Sequence, residues 1–147
     1  MALDLDLFSN SNFRNTIQRY CNQLGWGIND INARRAILKF TANSGNTQTL
    51  FIIRYENTLE FSVPSGIKFN SAEDVPGWMS NMLLCKNTEY KIGFWCIEDL
   101  DSRKIFSVMH NAEISLINVE YFGKVVLKLV NECDEFEQLV AKALRGY

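Results

Sequence analysis

The sequence predicts an α+β fold of order α-βββ-α-ββ-α, a mostly antiparallel sheet packed by helices. Three observations predict it. Apolar residues recur at helical spacing near both ends and in the middle of the chain. Between them stand runs of β-branched and aromatic residues, joined by connections too short for a parallel crossover. The chain has 147 residues, 47% of them apolar and 22% charged, the proportions of one globular domain. A chain of this length buries roughly 70% of the surface that it exposes when unfolded. A single domain over residues 1–147 is therefore expected, with residues 1–10 as a frayed arm. Asp4 and Asp6 alternate with leucines there, so pairing of the arm with a sheet edge is the other option.

The first helix follows Asn12. Phe13, Ile17, Tyr20, Cys21 and Leu24 share one helical face, and Gly25 supplies a left-handed stop. Strands are expected over Ala33 to Ala42, Thr47 to Tyr55 and Thr58 to Val63. Asn43 to Asn46 and Glu56-Asn57 connect them, which imposes antiparallel hairpins. Leu59, Phe61 and Val63 alternate with polar residues, so that strand buries one face. Leu50 to Ile53 is apolar on both faces and belongs inside the sheet. Pro64-Ser65-Gly66 is read as the end of this meander. Ser71 to Asp74 resembles a capping box before a helix carrying Val75, Trp78, Met79, Met82 and Leu83, with Pro76 in its first turn. Strands over Glu89 to Glu98 and Arg103 to Ala112 form a second hairpin around Asp99 to Ser102. After Asn118, Phe122, Val126, Leu129, Cys133, Phe136, Val140 and Ala143 describe one long amphipathic helix, expected to pack on the sheet.

Composition excludes several classes of function. The net charge of -2 lacks the clustered Lys and Arg that neutralise phosphates, so a nucleic-acid partner is not expected. Acid at Asp4 and Asp6 does not fit a secretory leader, and no stretch approaches the ~20 apolar residues of a spanning helix. A cytoplasmic protein without a membrane partner is expected. Cys21, Cys85, Cys96 and Cys133 lack C-x-x-C spacing and read as reduced thiols.

For chemistry, His110 is the single histidine, so any nucleophile-base pair must use it, with Cys96 on the neighbouring strand as partner. Cys96 alternates with Ile92 and Phe94 as a small core residue would, and nothing nearby activates a thiolate. Zinc ligation would need the scattered cysteines and His110 to be assembled by folding. Glu98, Asp99 and Asp101 lack the glycine and the terminal glutamate of a calcium loop. Phosphate-binding and nucleophile-elbow glycine motifs are absent. No catalytic residue, metal or cofactor is expected.

The order of elements resembles that of class I type III secretion chaperones and of the related YbjN-like bacterial proteins, from Phe13 to the final helix. The most specific stretch runs from Val75-Pro76-Gly77-Trp78 through Leu83-Leu84-Cys85-Lys86-Asn87 to Gly93-Phe94-Trp95-Cys96-Ile97-Glu98. It is similar to the helix ending in "LL-x-x-N" and the "G-x-W-x-I" strand of a small YbjN-like group. The resemblance implies a small acidic homodimer that binds a non-globular stretch of a partner protein.

Large apolar side chains crowd this stretch. Trp78, Met79, Met82 and Leu83 are helical neighbours, and Phe94 and Trp95 point to opposite faces of one strand. Either they are core, or they form an interface to a partner or a second copy. Trp78, Met79, Met82, Phe94 and Trp95 are the candidate interface residues, and a two-fold contact would use Trp78, Met82 and Trp95. The expected function is a non-enzymatic protein-binding module that holds a partner segment against its sheet. A small-molecule binder or enzyme with its site at His110 and Cys96, or an ancillary subunit of a larger complex, are the competing readings.

Overall fold

The computed structural model describes residues 12–145; the expected arm with Asp4 and Asp6 lies outside them. α1 (Phe13–Leu24) buries Phe13, Ile17, Tyr20 and Cys21, and Gly25 ends it at φ 77°. Four strands follow: β1 (Asp30–Ile31), β2 (Arg35–Thr41), β3 (Thr47–Arg54) and β4 (Thr58–Phe69). Then come α2 (Gly77–Asn87), β5 (Phe94–Leu100), β6 (Arg103–Glu113) and α3 (Val119–Leu144). The six strands form one antiparallel sheet in the order β1-β2-β3-β4-β6-β5, so β5 is an edge strand.

Alternation divides the sheet into two faces. Ala36, Leu38, Leu50, Ile52, Leu59, Phe61, Val63, Trp95, Phe106 and Val108 are buried on one face, beneath the helices. α3 lies along it with Phe122, Val126, Leu129, Cys133, Phe136 and Val140 inward. The four-three spacing is thus a sheet-packing stripe, although Ala143 at its end is exposed. Edge-to-face contacts tie Phe122 to Tyr20 and Phe61 at one end of the core, and Phe136 to Phe106 at the other. Two acids of α3 hold the sheet's turns. Asp134 accepts from Ser44 N and Oγ, and Glu137 accepts from Gln48 Nε2 at 2.7 Å and Gly66 N at 2.6 Å.

Among the described residues the opposite face carries no helix. Ile37, Phe51, Ser62, Met109 and Phe94 stand opposite one another across β2, β3, β4, β6 and β5, and Ile37, Phe51 and Phe94 are half-buried.

Four local expectations are corrected. The sheet has six strands instead of five, because β1 is two residues long and too short to show a period. Pro64 does not end the meander: β4 continues to Phe69 through a register shift between Pro64 and Lys68. β3 pairs with β4 only over Leu59 to Ser62, so the missing N–H of Pro64 breaks no ladder there. Ser71 to Asp74 is not a helix cap. It forms a 3-10 turn in which Ser71 Oγ donates to Asp74 Oδ2, and the helix starts at Gly77 with Pro76 as its N-cap. The fourth expected strand starts at Phe94, not Glu89, because Gly93 turns the chain at φ 89°.

Candidate functional site

α2 and the edge strand β5 form the candidate site. Apolar residues stand all round α2, and one face suffices to pack it. Met79 and Leu83 enter the core and Met82 is half-buried, while Trp78 is 52% exposed and Leu84 63% exposed. Among the described residues, none covers this outer side of α2.

The end of α2 is fastened to β5 by Asn87. Its Nδ2 donates to Trp95 O at 3.1 Å and its Oδ1 accepts from Trp95 N at 2.7 Å. The carboxamide therefore fills the place that a neighbouring strand would take beside Trp95. Since β6 lies on the other side of β5, these Trp95 groups face the free edge. The hairpin turn gives the same answer. Asp101 and Ser102 have φ 50° and 63°, the pattern of a two-residue I′ turn closed by Leu100 and Arg103. Alternate residues back from that pair bond to β6, so the main chains of Ile97 and Asp99 point outward like that of Trp95. Ile97 is 44% exposed.

Beside this edge lies an apolar cleft of about 180 Å³, lined by Ser80, Leu83, Leu84, Trp95, Cys96, Ile97 and Phe106. Small-molecule sites usually span roughly 300–1,000 Å³, and an engineered cavity of about 150 Å³ holds a benzene ring. The cleft is the size of one apolar side chain. Two broader and more polar clefts, of about 440 and 430 Å³, lie at Arg19 to Val119 and around Pro64 and Leu100.

On the helix-free face beside β5, Glu98 reaches across β6 to accept from Ser62 Oγ at 3.3 Å. Burial raises the Glu60 carboxyl above its usual range, and Glu98 raises it further. Ser107 is wholly buried on this face, opposite Cys96 and Pro64, and its Oγ has no partner.

The structure separates the sequence candidates. Cys96 and His110 do not meet, because β6 pairs Cys96 with Ser107 and places the His110 side chain on the helix face. Cys96 instead touches Met109 Sδ at 3.3 Å. Its thiol is pushed up to about 12 by burial, then by Glu98 and Glu60, which keeps it protonated. His110 is a latch. Its Nδ1 accepts from Gly93 N at 3.1 Å, which leaves the proton on Nε2 to donate to Tyr121 Oη at 2.6 Å. Burial lowers its pKa. The latch holds the entry of β5 against α3, together with Tyr90, whose hydroxyl donates to Glu132 at 2.6 Å.

Of the candidate interface residues, Trp78 is exposed, Met82 is half-buried at the cleft's rim helix, and Phe94 is half-buried on the helix-free face. Met79 and Trp95 are core, with Trp95 packed on Phe136 at 4.8 Å. Leu84, Ile97 and Asn87 complete the site. Leu84 and Asn87 stand in the "LL-x-x-N" pattern and Ile97 closes "G-x-W-x-I", but neither pattern tells which of these side chains is exposed. Among the described residues no group of three or more His, Cys, Asp or Glu could hold a metal, and no helix is long and apolar enough to cross a membrane.

No family model matches the chain, and no curated protein matches its sequence. Among solved structures, YbjN from E. coli, described as a candidate transcription regulator, superposes with a TM-score of 0.60 at 16% identity. The match covers 89% of this chain and 92% of that one. The three helices and the six-stranded antiparallel sheet of this chain thus have a YbjN-like fold.

Proposed function

We propose that this protein is a non-enzymatic protein-binding module of adaptor or chaperone type, which holds an extended segment of a partner protein on the free edge of β5. One observation carries the reading. The outward main chains of Ile97 and Asp99 lie beside a cleft sized for one apolar side chain, with Leu84 exposed on its wall. Main-chain pairing supplies affinity in such recognition, and the pocket supplies choice. The separation of Cys96 from His110 removes the nucleophile-base pair that an enzyme reading would use. A net charge of -2 gives this chain little drive toward phosphate, which favours a protein partner. A homodimer in which a second copy covers Trp78 and Met82 belongs to the same reading, since it leaves β5 free.

The test is affinity capture from native lysate with an Ile97→Asp control, followed by hydrogen exchange of the purified complex. Slowed exchange at the Ile97 and Asp99 amides supports strand addition. Exchange at those amides equal to that of the free protein overturns it. Sedimentation at micromolar concentration, with Trp78→Ala as control, decides the dimer.

A further inference from the structure

We infer that the segment taken up on β5 places an apolar residue next to a lysine or arginine, and that Glu98 and Glu60 select the basic residue. The inference rests on the proposed strand addition and specifies its partner.

The geometry sets the order of the two residues. Ile97 and Asp99 present their main chains outward, and their side chains lie on the helix face. An added strand therefore puts the side chain opposite Ile97 on that face, against the cleft lined by Leu83, Leu84 and Phe106. The adjacent residue of that strand stands opposite Glu98 and points to the helix-free face. Adjacent positions thus meet unlike surroundings, one apolar and one acidic.

On the acidic side Lys68 stands across Ile105 from Glu98, yet among the described residues it makes no ion pair with either glutamate. Among the described residues neither Glu60 nor Glu98 forms an ion pair, although Lys104, Lys128 and Arg35 all do. Glu98 holds only the 3.3 Å bond from Ser62, which is at the long end for a hydroxyl donor. Burial first, and then Glu98 and Glu60, raise the Cys96 thiol that stands on the same face. The orphaned Ser107 Oγ is a further unsatisfied polar atom on the same face. A cation from outside relieves this repulsion.

The same charges disfavour a second copy as the occupant. Two β5 strands paired antiparallel about the middle of the free edge would bring Glu98 directly opposite its own counterpart. Like charges in that position destabilise a pair.

The experiment uses the full chain and three fluorescent seven-residue peptides. One alternates valine or leucine with lysine, one carries glutamate in place of lysine, and one is the lysine peptide N-methylated at alternate residues. The expected result in anisotropy titrations is about tenfold tighter binding of the lysine peptide than of the glutamate peptide. That preference falls below about threefold in the Glu60→Gln, Glu98→Gln double variant, and N-methylation abolishes binding. Equal binding of the two charged peptides, still lost on N-methylation, overturns the charge selection and leaves strand addition standing. Binding of none of the peptides, with the Ile97 amide exchanging as in the free protein, overturns both. Circular dichroism of the double variant establishes that it is folded.

Discussion

The Asn87 carboxamide and the Trp95 main chain form a closed two-bond pair, with Asn87 Nδ2 donating at 3.1 Å and Trp95 N donating at 2.7 Å. A helix side chain thereby completes the hydrogen bonding of one residue of an edge strand. It also fixes α2 to the strand whose cleft it lines.

Asn87→Ala leaves Trp95 N–H and C=O without these partners in a half-buried setting. A loss of about 1–3 kcal/mol in unfolding free energy is expected. Asn87→Asp keeps the acceptor for Trp95 N but sets a carboxylate against Trp95 O, so it recovers at most part of that loss. Urea denaturation of the three proteins measures it.

Burial lowers the pKa of His110, whose Nδ1 already accepts from Gly93. Below the unfolded value of about 6.5, the unfolded chain takes up a proton that the folded chain refuses. Stability is therefore expected to fall as pH drops below about 6.5 until the lowered folded pKa is passed, by at most about 1.4 kcal/mol per pH unit. His110→Gln removes this slope. Glu60 has the opposite sign: its raised folded pKa confers stability that is full below the unfolded value and is lost as pH rises through the folded one. Glu60→Gln removes that loss. Melts from pH 4 to 8 on each variant, compared with the parent, separate the two.

Ser102 sits at φ 63° in the turn between β5 and β6, a conformation that costs a side chain roughly 1–2 kcal/mol. Ser102→Gly relieves it, against about 0.5–1 kcal/mol of added chain entropy in the unfolded state. A net gain of about 0.5 kcal/mol is expected, or a Tm higher by about 1–2 °C for a chain of this size. Differential scanning calorimetry checks it.

Gly93 has no such freedom to change. At φ 89° a Cβ would stand 2.9 Å from Leu129 Cδ2, and Leu129 is fully buried and unable to swing aside. Gly93→Ala is expected to lose about 2–4 kcal/mol from backbone strain and overpacking together, measured by chemical denaturation.

Trp78 and Leu83 lie five positions apart on α2 and separate display from support. Trp78→Ala should change stability by no more than about 0.5 kcal/mol while weakening self-association. Leu83→Ala should cost about 2–5 kcal/mol, because Leu83 is 2% exposed. Paired denaturation and binding measurements on the two variants resolve them.

The helices and most strands were legible because burial repeats at 3.6 or 2 residues, as Phe122 to Val140 and Leu59 to Val63 show. β1 was not, since two residues carry no period. Nor was the continuation of β4, because Pro64 reads as a strand end unless it is known that β3 has already left β4. The site was partly legible. The aromatic and Met-rich stretch located it, but the division of Trp78 from Trp95 depends on which side of α2 and β5 the core takes. The separation of Cys96 from His110 is a matter of strand register: Cys96 stands opposite Ser107, and His110 is three residues from Ser107, an odd offset that puts it on the other face.

Asn87 has a consequence for solubility as well. An unpaired edge is a template for endless sheet growth, and long flat edges invite it. Here Asn87 occupies the edge at Trp95, and the I′ turn ends it after Leu100. What remains, Cys96 to Leu100, is five residues, about 17 Å of strand at 3.3 Å per residue. A window that short admits a brief segment and gives a growing fibril too little to hold.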